Sequence, residues 1–137
     1  EIAGSQYTAG VTLALGGGCG TSLALQPGSK TPAAAGNVKL SRDSQGNTQL
    51  ALSANYLPEP FELNRALTTF VIWSIADDGT RVRNMGQMQL DSHRHGAVNL
   101  VTPLTSFKLL VTAEESATAE RPSDYAILSG VVRMNPS

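Results

Sequence analysis

The stretch Thr69-Phe70-Val71-Ile72-Trp73-Ser74-Ile75 decides how this sequence reads. It is apolar at nearly every position and rich in β-branched and aromatic residues, which suit a pleated surface better than a helix. A short run that is apolar on both faces marks a central β-strand covered from two sides. The segment behind it, Ala76-Asp77-Asp78-Gly79-Thr80, reads as a hairpin turn, with Asp-Gly where a tight turn needs positive φ. Trp73 is expected in the middle of the core.

Outward from that strand, short apolar segments alternate with turn residues, and no helical period of useful length is present. On the N-terminal side, Val38 and Leu40, then Leu50, Leu52 and Ala54, alternate with polar residues around a turn at Asp43-Ser44-Gln45-Gly46-Asn47. Leu57-Pro58-Glu59-Pro60 stops the second of these strands, because proline donates no ladder hydrogen bond, and a crossover loop between sheets is expected to about Ala66. On the C-terminal side, strands are expected near residues 82–90, 97–102 and 107–113. A polar loop from Glu114 to Ser123 then precedes a last strand, Tyr125 to Arg133. Seven short strands at this spacing predict an all-β fold, an immunoglobulin-like Greek-key sandwich. Its core is expected to hold Phe70, Ile72, Trp73, Phe107, Leu109 and Val111.

Residues 1–20 stand apart from a β-sandwich domain over 21–137. In Tyr7-Thr8-Ala9-Gly10-Val11-Thr12-Leu13-Ala14-Leu15 the apolar residues Tyr7, Ala9, Val11, Leu13 and Leu15 fall on one face of a period-two strand. Gly16, Gly17, Gly18, Cys19 and Gly20 follow, a tether with almost no conformational preference. Pro27-Gly28 and Thr31-Pro32 occupy a further loose stretch before the first regular hairpin.

Bulk properties narrow the function. The 137 residues suit one domain, large enough for a core that needs no disulfide. Only 15% of the residues are charged, below the ~25% usual for soluble domains, and the formal net charge is −1. Such a surface gives copies of the chain little mutual repulsion, and no basic stripe exists to neutralise nucleic-acid phosphates. The apolar runs fall short of the ~20 residues a membrane helix needs. The start at Glu1-Ile2-Ala3 is read as a mature N-terminus after removal of a leader, which places the chain outside the cell or on its surface. A lipoprotein reading of Leu15-Gly16-Gly17-Gly18-Cys19 is weaker, since no Lys or Arg precedes it. The single Cys19 can bridge only to another chain or stay a free thiol.

Catalytic chemistry finds no foothold, so no enzyme and no cofactor is expected. His93 and His95 flank Arg94, but two imidazoles are too few for a zinc site, and the bland reading is a solvated hairpin tip. Glu114 and Glu115 are adjacent and would face opposite sides of a strand, so a structural role inside the loop is expected for one of them. Ser129-Gly130 lacks the strand–turn–helix setting of a nucleophile elbow. Asp77-Asp78-Gly79 lacks the further ligands of a calcium loop, and the glycines around Cys19 lack the lysine and helix of a phosphate loop.

One ordered set of short elements carries a resemblance. Phe70-Val71-Ile72-Trp73, Asp78-Gly79, Asn84-Met85-Gly86, Phe107-Lys108-Leu109-Leu110-Val111-Thr112-Ala113-Glu114, Pro122-Ser123 and Ile127-Leu128-Ser129-Gly130 together resemble the extracytoplasmic domain of anti-sigma-K-type regulators and related bacterial envelope proteins. The likeness covers about residues 31–133. It implies a β-sandwich lying outside the cytoplasmic membrane, without catalytic residues. The chain has neither the transmembrane helix nor the sigma-binding helices of those regulators, so no signalling role is carried over, and residues 1–20 lie outside the likeness.

Two functions are therefore expected to compete. In the first, Tyr7 to Leu15 completes the sheet of a neighbouring copy and builds a head-to-tail extracellular filament. In the second, the chain is a monomeric interaction module of the bacterial envelope, with an envelope protein or a glycan as partner.

Overall fold

The computed structural model describes residues 21–77 and 79–133. Its elements are β1 (Thr21–Pro27), β2 (Ala35–Arg42), β3 (Thr48–Asn55), a short helix α1 (Pro60–Leu63), β4 (Thr69–Ala76), β5 (Val82–Met88), β6 (Gly96–Thr102), β7 (Ser106–Glu114) and β8 (Ala126–Arg133). All pairings are antiparallel, and the strands join one eight-stranded sheet in the order β5-β4-β7-β8-β1-β2-β3-β6. The sheet curls until its two edges, β5 and β6, approach each other, so the fold is nearly a barrel.

The all-β class expected from sequence is what the structure has. Within that class, β1 links a half made of β2, β3 and β6 to a half made of β4, β5, β7 and β8. Residues 21–25 of β1 pair with β2, and Gln26 and Pro27 pair with Ser129 and Leu128 of β8. The sequence pattern marks no strand over residues 21–26 and reads Pro27-Gly28 as part of a loose stretch. Only Leu23 and Leu25 mark the buried face of β1, at 2% and 5% exposure. Small residues make the curl feasible. A Cβ at Gly36 would lie 2.6 Å from Leu128 Cδ1, and one at Gly130 would lie 2.7 Å from Leu25 Cδ2, so glycine lets neighbouring walls of the curled sheet close in.

Side-chain alternation fills the interior. Phe70, Ile72, Phe107, Leu109 and Val111 are buried together with Leu40, Leu50, Leu52, Ile127 and Val132. Trp73 is fully buried but is not part of this cluster. Along β4, Phe70, Ile72 and Ser74 share one face, whereas Val71 and Trp73 share the other. The indole therefore sits on the outer side of the sheet, where Nε1 donates to Thr112 Oγ1 at 2.8 Å. Thr112 in turn donates to Glu114 Oε2 at 2.5 Å, and the same carboxylate oxygen accepts the Ser123 N–H at 2.7 Å. Asn84, opposite Trp73 in the β4–β5 ladder, donates to the carbonyls of Ala117 and Ala119 at 2.9 Å each. These bonds pin the 114–123 loop across the outer face, which is why β4 is apolar on both sides.

Candidate functional site

The barrel has a seam. β5 and β6 are consecutive and linked by a tight turn, in which Asp91 N donates to His95 O at 2.9 Å and Arg94 N to Asp91 O at 3.1 Å. One backbone bridge, Leu90 to Gly96, follows this turn. Beyond it, among the described residues, β5 pairs only with β4 and β6 only with β3, so two strand edges face each other with unpaired backbone groups.

The two edges differ in kind. β6, Gly96-Ala97-Val98-Asn99-Leu100-Val101-Thr102, has no charge and no proline, and its register with β3 runs unbroken from Thr102–Thr48 to Gly96–Ala54. β5 is irregular: its register with β4 shifts between Ile72 and Trp73, Gly86 has φ +136°, and the Gly86 N–H is taken by Asn84 Oδ1 at 2.9 Å. A bulge of this kind blunts an edge, whereas a flat uncharged edge invites pairing.

Apolar side chains line the seam. Met85, Val98, Leu100 and Leu104 are half-buried against the core. A Cβ at Gly86 would lie 3.9 Å from Leu100 Cδ2, so the β6 leucine reaches toward the β5 glycine across the opening. Val82 on β5 and Val101 on β6 are 41% and 58% exposed. One strand in from the seam, Ser74 on the inner face of β4 is 1% exposed, and its Oγ has no hydrogen-bond partner among the described residues. On the outer side, Lys39, Ser41, Gln49, Ala51, Asn99 and Val101 border a shallow cleft of about 360 Å³ against β6.

A second cluster lies at the end of the barrel near the β5–β6 turn. Arg94 grips Glu62 of α1 with both guanidinium nitrogens, at 2.6 and 3.2 Å. The bond to Arg94 holds the Glu62 carboxyl below its ordinary pKa and raises that of Arg94. Tyr56 and Phe61 are 72% and 58% exposed there, and Tyr56 and Arg94 both carry φ +61°. Tyr56 and Arg94 flank a cleft of about 340 Å³ that Lys30, Pro58 and Leu63 also line. Sequence alternation does not single out the two exposed aromatics; Tyr56 lies just past the end of β3 at Asn55.

The remaining sequence candidates fall as follows. His93 and His95 shape the turn, since their backbone N–H groups both donate to Asp91 Oδ1, at 2.8 and 3.0 Å. Those bonds, His95 foremost, keep the Asp91 carboxyl below its ordinary pKa. Among the described residues no three His, Cys, Asp or Glu converge as a metal group would need. Glu114 turns into the loop it opens, whereas Glu115 is exposed and lends its carbonyl to Thr68 Oγ1 at 2.9 Å. Tyr7, Ala9, Val11, Leu13, Leu15 and the tether Gly16 to Gly20 lie outside the described residues, as does Asp78 of the β4–β5 turn. Sequence reading did not foresee the seam, because edge strands are a property of pairing order; the charge-free run 96–102 was the one available signal. No helix among the described residues is long and apolar enough to cross a membrane. No protein-family model and no curated protein matches the chain.

Proposed function

We propose that the chain is a non-enzymatic structural subunit of an extracellular filament, assembling head-to-tail as Tyr7 to Leu15 of one copy adds a strand to the next. The observation that carries this reading is a mismatch of supply and demand. The described sheet stops short of closure with two unpaired edges, while the sequence holds one more period-two strand on a glycine tether. Strand addition draws affinity from backbone ladder bonds and specificity from alternate side chains, and it needs no catalytic group. The low surface charge supports close packing of copies. An extracellular, bacterial envelope setting belongs to the same proposal and is supported by the resemblance over residues 31–133. So does the immunoglobulin-like description of the sheet, supported by the β4–β5 and β7–β8 hairpins lying side by side and by β1 switching between halves.

A second reading, a monomeric envelope module, is favoured by one observation: Tyr56 and Phe61 present exposed aromatic surface and Tyr56 lines a cleft, as a protein or glycan partner would require. Negative-stain microscopy and a sizing column, applied to the full chain and to a version lacking residues 1–20, decide between them. Filaments from the full chain alone support the structural subunit; stable monomers from both eliminate it.

A further inference from the structure

The geometry points to the free edge of β6 as the acceptor for residues Tyr7 to Leu15 of a second copy of this chain. This assignment rests on the strand-exchange reading and supplies the half that sequence leaves blank: where on the neighbour the strand goes.

Two observations converge on β6. First, of the two sheet edges only β6 is straight, uncharged and free of bulges; β5 is interrupted at Gly86, whose N–H is already occupied by Asn84. An edge with the character of β6 is ordinarily protected by charge, proline or a covering segment. Here the flanking side chains are apolar instead, with Val101 exposed and Val98 and Leu100 half-buried. Second, the chain outside the described N-terminus has matching length and chemistry. The stretch Tyr7 to Leu15 is uncharged, alternates apolar and small residues, and is long enough to cover Gly96–Thr102 end to end. Its apolar set would cover the inner row at Val98 and Leu100, and its small polar set would lie beside Asn99 and Val101.

The position of β1 favours a second copy over closure within one chain. β1 lies between β8 and β2, with β8, β7 and β4 between it and the β5 edge strand and β2 and β3 between it and the β6 edge strand. Thr21, to which the tether joins, thus lies on the side of the barrel away from the seam. Five tether residues reach at most roughly 18 Å when fully extended, so closure in cis would stretch the tether across the barrel mouth. Donor and acceptor on opposite sides make a heterologous contact, which propagates to a filament when its rotation does not close.

The test is cross-linking between distinguishable copies of the full chain, all carrying Cys19→Ser. One copy bears Thr12→Cys; the other bears Asn99→Cys on β6 or, as a control, Lys108→Cys on β7, an exposed site on a strand with neighbours on both sides. A mixed-chain product with Asn99→Cys, lost with Lys108→Cys, is the expected result. High-mass assembly with only control-level cross-linking at Asn99→Cys would overturn the β6 assignment while leaving strand exchange standing. With Thr12→Cys and Asn99→Cys on one chain, an intramolecular product independent of concentration would show self-closure and overturn the second-copy assignment. Absence of both assembly and cross-links would overturn the acceptor and the filament together.

Discussion

Leu90 and Gly96 form the only backbone bridge between β5 and β6 among the described residues, and the side chain of Met88 packs where a Cβ on Gly96 would stand. The pair acts as the hinge pin of the seam: pairing starts there and then stops. A Cβ at residue 96 would lie 2.8 Å from Met88 Sδ, with Met88 itself 1% exposed. Gly96→Ala is expected to destabilise the fold by about 1–3 kcal/mol through overpacking. Urea unfolding with an unchanged m-value checks this, and Gly79→Ala is not a substitute control because its φ of +77° adds backbone strain.

The outer-face network should be as sensitive as the core. Thr112→Val removes the acceptor of the Trp73 indole and the donor to Glu114 in one step, both buried. Leaving such groups unsatisfied costs about 1–3 kcal/mol each. Hydrogen exchange is expected to rise in the 114–123 loop before the core strands open, because Glu114 also holds the Ser123 N–H.

Tyr56 occupies the left-handed region at φ +61° and is 72% exposed, so little burial offsets the backbone strain. Tyr56→Gly is expected to stabilise the domain by about 0.5–1 kcal/mol by relieving that strain. A thermal midpoint that falls instead would show that the ring contributes contacts worth more than the backbone strain.

The Glu62–Arg94 pair gives a pH dependence with a definite sign. Arg94 lowers the folded pKa of Glu62 below its ordinary value of 4.5, so the unfolded chain binds the proton more tightly. The contribution is therefore fully present above about pH 4.5 and is lost as pH falls through the depressed folded value. Stability against pH should flatten in that acid window in Glu62→Gln, while the two proteins keep a constant difference at neutral pH. The pair is solvent-exposed, so added salt is expected to shrink the effect.

Local chemistry was legible in the sequence wherever alternation and turn residues coincide. The β2–β3 hairpin follows from Val38, Leu40, Leu50, Leu52 and Ala54 around the Asp43 turn, whose carboxylate accepts the Gln45 and Asn47 N–H groups at 2.9 Å each. The inward residues Phe70, Ile72, Phe107, Leu109 and Val111 follow from period two. What alternation does not carry is the partner of each strand. β1 went unread because two leucines are a thin signal. Trp73 is buried as expected, but a strand buried on both faces does not show which face meets the barrel interior. The seam depends on β5 and β6 being consecutive yet lying at opposite ends of the pairing order, a relation set by the whole sheet rather than by either segment.

Concentration-dependent hydrogen exchange on the full chain tests the central claim most directly, by following the amides of residues 7–15 and 96–102 together. Strand exchange predicts that both sets gain protection in parallel as concentration rises and lose it on dilution. Protection of residues 7–15 that is equal at every concentration, or absent at all of them while the core strands stay protected, would contradict it.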